Sequence, residues 1–291
     1  MSSDIPFDSI AVREPLGPVE NSASENAVRR YCDDWDDHDP MYLERSIWGG
    51  PVVPPAFQAG LTGFRLLSTR YNSRATIGAK SEHRSIRPAR VGARLITAGM
   101  ITEKYVRRGL EYVVVESTTH DDDGQEIRWS RDHILLSLER RPGGDDTTAA
   151  PSAARPEPRP IVPARVQIPT IEKRAYQRAL DESRFAANSI HNDDYTRQHG
   201  YAGALMSAYV LCGYMAELLV KFYGPSWLLG GSLAVNFING GVQQGNAIRC
   251  GGEVVQSVAG PTGVRHDLAI WMEKEGGKRV IAGTASGTIA R

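Results

Sequence analysis

Little in this chain points outward. Its three cysteines, Cys32, Cys212 and Cys250, stand far apart and form no CxxC pair. That excludes a disulfide framework and a thiolate zinc site, and it fits a reducing compartment. Net charge is missing too. The 34 lysines and arginines balance the 34 aspartates and glutamates, so no field draws the chain to nucleic acid or an anionic membrane. There is no GxGxxG, hence no glycine-rich phosphate loop. The longest apolar run, residues 204–220 "ALMSAYVLCGYMAELLV", falls short of a bilayer and contains Glu217, so it predicts a helix buried in a protein core. The opening "MSSDIPFDSIAVREPLG" carries acids early and lacks the apolar segment of a secretory signal. His38 sits in an acidic run, "DDWDDHD", whose spacing fits no metal pattern. The expectation is a cytoplasmic protein with no metal, no resident cofactor, no nucleic acid and no membrane as partner.

What is present is a globular composition, 41% hydrophobic and 23% charged. Residues 140–166 are rich in Pro, Ala, Arg and Gly and show no apolar period, so they cannot bury enough surface to offset their ordering entropy. This predicts a linker between an N-terminal half, 1–139, and a C-terminal half, 167–291.

The halves repeat one another. Placing Tyr42 over His191 lays "DHDPMY" over "AANSIH" and "WGGPVVPPAF" over "RQHGYAGALM". Each half continues into an apolar helical stretch. Further on, "RVGARLITAGMI" lies over "QQGNAIRCGGEV", Gly92 falling on Gly245 and Gly99 on Gly252. Both halves end in apolar, β-branched runs broken by Asp123-Gly124 and by Gly276-Gly277, which are hairpin signals. A helix apolar on most faces must be surrounded, and a curved antiparallel sheet would do it. The predicted class is α+β, with two copies sharing one sheet.

The loops resemble those of the MaoC-like hydratase/dehydratases, the (R)-specific enoyl-CoA hydratase group. That family's loop has the form D-x-N-P-[LI]-H-x-D, followed by a Gly-aromatic turn and a helix. "NSIHND" (188–193) and "HGYAGALMSA" (199–208) are similar to it, and "DHDPMY" resembles the same loop in the N-terminal half. The resemblance implies a double hotdog, two tandem halves each wrapping antiparallel sheet around a long central helix. It implies a hydro-lyase acting on a small-molecule acyl thioester carried by CoA or by the pantetheine of an acyl carrier, and a homodimer or a pairing with a related subunit.

The departure lies at the chemistry. The family's catalytic aspartate stands five residues before the histidine, where this chain has Ala186. The N-terminal half keeps Asp37 but has Tyr42 in the histidine's place. The expected catalytic residues are therefore His191 as acid/base, assisted by Asn188 and by Asp193, which is alternatively a helix cap. Gly203, Ala208, Tyr42 and Asp37 are expected to bind substrate, with small residues such as Ser207 leaving room for a bulky acyl group. Backbone N–H groups at the helix start would hold the thioester oxygen. Arg84, Arg87, Arg90 and Arg94 are expected either to meet CoA phosphates or to be ordinary surface charge. Two alternatives remain: another reaction through an oxyanion or enolate (thioesterase, isomerase or C–C chemistry), and a noncatalytic acyl-CoA-binding subunit.

Overall fold

The computed structural model describes residues 6–57, 61–73, 75–140, 166–177 and 189–290. Most of the 140–166 segment, as well as Ala186 and Asn188, lies outside them.

In the N-terminal half an edge strand β1 (Pro15–Ser22) leads to α1 (Glu25–Trp35), the short α2 (Pro40–Leu43) and α3 (Leu61–Ser68). The strands β2 (Ile77–Ser85), β3 (Arg94–Arg107), β4 (Leu110–His120) and β5 (Glu126–Leu135) follow. The C-terminal half repeats the plan. Short strands β6 (Val166–Gln167) and β7 (Ile171–Arg174) precede α4 (Asp193–Gln198) and α5 (Ala208–Tyr223). Then come β8 (Ser232–Phe237), β9 (Ala247–Gly260), β10 (Gly263–Lys274) and β11 (Lys278–Ala290). Both predicted hairpin turns are present. Gly124 (φ 71°) closes β4–β5, and Gly276 and Gly277 (φ 77° and 71°) close β10–β11, values a residue with a Cβ rarely adopts.

All strands join one antiparallel sheet ordered β1-β3-β4-β5-β2-β8-β11-β10-β9-β6, with β7 also on β9. The order reads the same outward in both directions from the β2–β8 seam, where Lys80 to Arg84 pair with Asn236 to Ser232. Two hotdog halves thus share a continuous sheet. α5 lies in its curve, buried on nearly every face from Ala208 to Tyr223. Its Val210, Met215, Leu218 and Leu219 meet Ile248, Leu268, Ile270 and Ile281 from the sheet in the larger hydrophobic core. Truncating Leu219 to Ala there would cost roughly 2–5 kcal/mol. α3 anchors a smaller core through Leu66 and Leu67.

The halves interlock beyond the seam. Trp35 of α1 lies across α5 and donates from Nε1 to Val210 O at 3.1 Å. Gly213 makes this possible, since a Cβ there would fall 2.0 Å from the indole nitrogen. Lys173 of β7 reaches the other way, donating to the Trp35 and Asp36 carbonyls at the end of α1 and pairing with the buried Glu217 at 3.1 Å.

Backbone hydrogen bonds correct the repeat's register. Val52 N donates to Met41 O, and Leu205 N donates to Ile190 O. Val53 N donates to Ala89 O, and Met206 N donates to Val242 O. Val53, not Phe57, is therefore the counterpart of Met206. Four extra residues enter the C-terminal loop after His191, in the stretch that folds as α4. Pro54 and Pro55 then match Ser207 and Ala208.

Candidate active site

A cavity of about 720 Å³ opens between the halves, walled by Phe64, Ile77 and Gly78 on one side and by the loop at His191, the start of α5 and residues 237–241 on the other. Gly78 allows the two sides to approach, because a Cβ on it would lie 2.5 Å from that of Ala208. Among the described residues no Asp, Glu, Lys or Arg lines the cavity.

His191 sits in this wall, carried by a tight turn. Its N–H donates to Ser189 Oγ at 3.1 Å, and Asn192 N donates to Ser189 O at 2.9 Å. On its ring, Nδ1 is 2.6 Å from Leu205 O and Nε2 is 3.1 Å from Ser207 Oγ. Ser207 in turn is clamped by the buried Gln177, whose Nε2 is 2.9 Å from Ser207 Oγ and whose Oε1 is 2.7 Å from Ser207 N.

The two ends of this chain assign every proton in it. The Leu205 carbonyl can only accept, so Nδ1 carries the hydrogen. Burial pushes the His191 pKa below the usual histidine value, with the Leu205 carbonyl pulling the other way, so the ring is neutral near pH 7 and Nε2 is a bare lone pair. At the far end the Ser207 N–H can only donate, so it faces Gln177 Oε1 and the amide NH₂ faces Ser207 Oγ. That leaves the Ser207 hydroxyl proton one direction, toward His191 Nε2.

Ser207 is also the N-cap of α5, with extended backbone (φ −66°, ψ 142°), yet its side chain makes no capping bond. The serine ahead of "AYVLCGYMAELL" signals a cap in sequence. Here that hydroxyl is turned into the cavity wall. The N–H groups of Ala208 and Tyr209, the next two residues, make no hydrogen bond among the described residues, and both residues line the cavity. They lie at the positive end of a buried helix, suited to a developing oxyanion.

The structure places the other expected residues as follows. Ala208 lines the cavity; Gly203 is buried but not in its lining. Asp193 turns away from the cavity. Its carboxylate accepts from Ala204 N at 2.7 Å and pairs with Arg197 at 3.5 Å, pinning the Gly203 turn, and a Cβ on Gly203 would lie 2.9 Å from Asp193 Oδ1. Nor is Asp193 the cap of α4. Asn192 holds that position, accepting from Asp194 N and Tyr195 N, because its extended backbone aims the amide oxygen at both donors. Asp37 and Tyr42 do not line the cavity either. They are buried against the flank of α5, where desolvation, with Glu217 adding to it against Lys173, raises the Asp37 carboxyl to about 7. The four arginines also lie apart from the cavity lining; Arg94, for one, pairs with Glu20 and Asp122. Sequence reasoning gave Ser207 only the role of a small residue and passed over Gln177. Nothing in spacing marks a glutamine thirty residues upstream; only the fold of β7 beside α5 brings it in.

No family model matches this sequence, and no curated protein does. Solved structures match over almost the whole chain. A MaoC-like dehydratase aligns at TM-score 0.72 with 16% identity, covering 98% of this chain and 100% of its own. A MaoC domain protein dehydratase from Chloroflexus aurantiacus, described as putative, aligns at 0.71 with 11% identity, over 98% and 97%. A conserved hypothetical protein of Mycobacterium tuberculosis with a double hotdog fold aligns at 0.64 with 13% identity, over 97% of both. The chain thus has the double hotdog fold of the MaoC-like dehydratases.

Proposed function

We propose that the cavity hydrates or dehydrates an acyl thioester, with His191 as the acid/base. One observation carries this: a neutral imidazole presents an unprotonated Nε2 in the wall of a cavity whose adjoining wall is the N-terminus of a buried helix. In the hydration direction water adds to the β-carbon of the unsaturated thioester. The Ser207 hydroxyl passes its proton to His191 Nε2 and takes the water proton in its place as the C–O bond forms. The electron pair moves to the thioester oxygen, which the Ala208 and Tyr209 N–H groups hold. The imidazolium then returns its proton to the α-carbon, so atoms and charge balance with one group serving both transfers.

The neutral lining suits an uncharged acyl group and leaves the charged part of a carrier outside the cavity. One oxyanion donor is worth about 3 kcal/mol in studied enzymes, and a positioned acid/base roughly 10²- to 10⁴-fold. The steps as written use no carboxylate, since none lines the cavity among the described residues. Its rate is expected below that of an enzyme holding the full pair. The test is the loss of enoyl-thioester absorbance with crotonyl-CoA. His191→Ala is expected to lower kcat at least 100-fold with an unchanged circular dichroism spectrum. Equal rates in both proteins would remove His191 from the chemistry.

A further inference from the structure

We infer that Ser207 is a nucleophile, and that the same cavity transfers an acyl group from a thioester to its hydroxyl and then to water. The inference rests on the reading that an acyl thioester enters this cavity. Its first support is the hydrogen-bond order. The Ser207 hydroxyl donates to His191 Nε2 at 3.1 Å, and the imidazole's other nitrogen is fixed by Leu205 O at 2.6 Å. A nucleophile, a base and a group that orients the base are the parts of hydrolytic triads, with a backbone carbonyl here in the carboxylate's role.

The second support is the serine's conformation. An N-cap serine ordinarily gives its oxygen to an N–H of the first turn. Ser207 does not. Gln177 satisfies both its N–H and its Oγ, which leaves the serine's own proton for the histidine. The third is the surroundings. The Ala208 and Tyr209 N–H groups follow the serine directly at the start of a sixteen-residue helix. An oxyanion hole built in part from the residue after the nucleophile recurs in serine hydrolases.

In the first step Ser207 Oγ attacks the thioester carbonyl carbon while its proton passes to His191 Nε2, and the carbonyl electrons move to the oxygen held by the helix N–H groups. The C–S bond then breaks, and the departing sulfur takes the proton from His191. In the second step His191 removes a proton from water, the hydroxide attacks the serine ester, and the proton returns to Ser207 Oγ as the carboxylic acid leaves. Water is the only co-reactant. Gln177 touches no reacting atom other than through Ser207, so it is a positioning residue.

The test uses saturated acyl-CoA thioesters from acetyl to palmitoyl, which cannot be hydrated, so that thiol release reports acyl transfer alone. Phenylmethanesulfonyl fluoride serves as a probe independent of the acyl group, since sulfonylation of an activated serine expels fluoride. The expected results are thiol release from at least one thioester, an acyl adduct in intact-protein mass after acid quench, and sulfonylation mapped to the Ser207 peptide. Ser207→Ala and His191→Ala are each expected to reduce all three at least 100-fold. Ser207→Cys, which keeps a nucleophile, is expected to retain the mass adduct as a thioester, so a folding defect in one variant does not decide the matter. Gln177→Ala is expected to slow thiol release about tenfold and to be partly rescued by Gln177→Asn, with KM little changed. Hydration of crotonyl-CoA without thiol release or labelling would overturn the nucleophile and leave the hydro-lyase standing. Thiol release at an unchanged rate in Ser207→Ala would overturn it as well. Absence of both activities would overturn both readings.

Discussion

The two halves of this chain hold their loops with the same backbone bonds and use the enclosed space in opposite ways. Met41 and Ala89 accept from Val52 and Val53 in one half as Ile190 and Val242 accept from Leu205 and Met206 in the other. Inside that shared frame the C-terminal half has His191, Ser207 and Ala208 around a cavity of about 720 Å³. The N-terminal half has Tyr42, Pro54 and Pro55, and the corresponding space, lined by Val53, Pro54, Pro55, Ser85, Pro88 and Ala89 among others, is only about 30 Å³. The Tyr42 ring is 1% exposed and fills its surroundings, and Arg128 enters from β5, donating to Pro55 O at 3.1 Å. The prolines matter most. Each lacks an N–H, so the N-terminal half offers no donor at the places of Ser207 and Ala208. The N-terminal half keeps the same loop frame without the large cavity, because the frame rests on backbone bonds and the cavity on side chains.

The sharpest way to break the contrast is to carry one proline across. Ala208→Pro removes one of the two N–H groups proposed to hold the thioester oxygen. Proline is well tolerated at the first helical position, and Ser207 already has the extended backbone that a residue before proline requires. Thermal stability is therefore expected to change little while turnover falls roughly 10²- to 10³-fold. A variant that melts like the parent but turns over at the parent rate would show that Ala208 N–H does not meet the reacting oxygen.

Asp37 tests the same contrast from the N-terminal side. Its carboxyl, raised to about 7 chiefly by burial, binds a proton more tightly in the folded than in the unfolded chain. Its contribution to stability is therefore greatest at low pH and declines as pH rises from about 4, the unfolded value, to about 7. Asp37→Asn cannot ionise. It is expected to remove this decline and to be the more stable protein at pH 8, by on the order of 4 kcal/mol. Parallel stability-versus-pH curves for the two proteins would contradict it. Asp37 is thus a buried acid held among Glu217, Lys173 and Lys221.

His191 has the opposite response, and the difference separates chemistry from packing. Burial lowers its pKa, so the neutral base persists below the pH at which a solvated histidine protonates. The acid limb of kcat/KM is expected below the ordinary histidine range, with rate falling tenfold per pH unit beneath it. A limb at or above that range would mean that another group titrates.

How much of this was legible beforehand divides along the same line. The fold could be read because it is written in long-range patterns: Gly92 against Gly245, two glycine-broken hairpins, and one helix too apolar for a surface. The register differs by four residues near the sites, since the C-terminal loop carries four extra residues in the stretch that folds as α4. His191 stands out in its loop, and the structure puts it in the cavity wall. Ser207 was visible only as a small residue at the helix entry, because nothing in a serine before an apolar helix tells which way its hydroxyl turns. Gln177 and the outward turn of Asp193 were not legible at all. They depend on side chains meeting across strands and turns, and local sequence does not encode that meeting.

The smallest effect belongs to Tyr42. Its ring stands in the place of His191, is buried, and carries a hydroxyl with no hydrogen-bond partner among the described residues. Desolvation, reinforced by Asp37, pushes its pKa well above the usual tyrosine value, so it stays protonated. An unpaired buried hydroxyl costs roughly 1–3 kcal/mol, and replacing it with hydrogen leaves the ring's packing intact. Tyr42→Phe is therefore expected to leave turnover unchanged and to raise stability by about 1 kcal/mol, or about 2–4 °C in Tm for a chain of this size. A loss of stability would mean that the hydroxyl has a partner and that the N-terminal half-site retains a polar function. A loss of turnover would place that function in the reaction and end the division of labour between the halves.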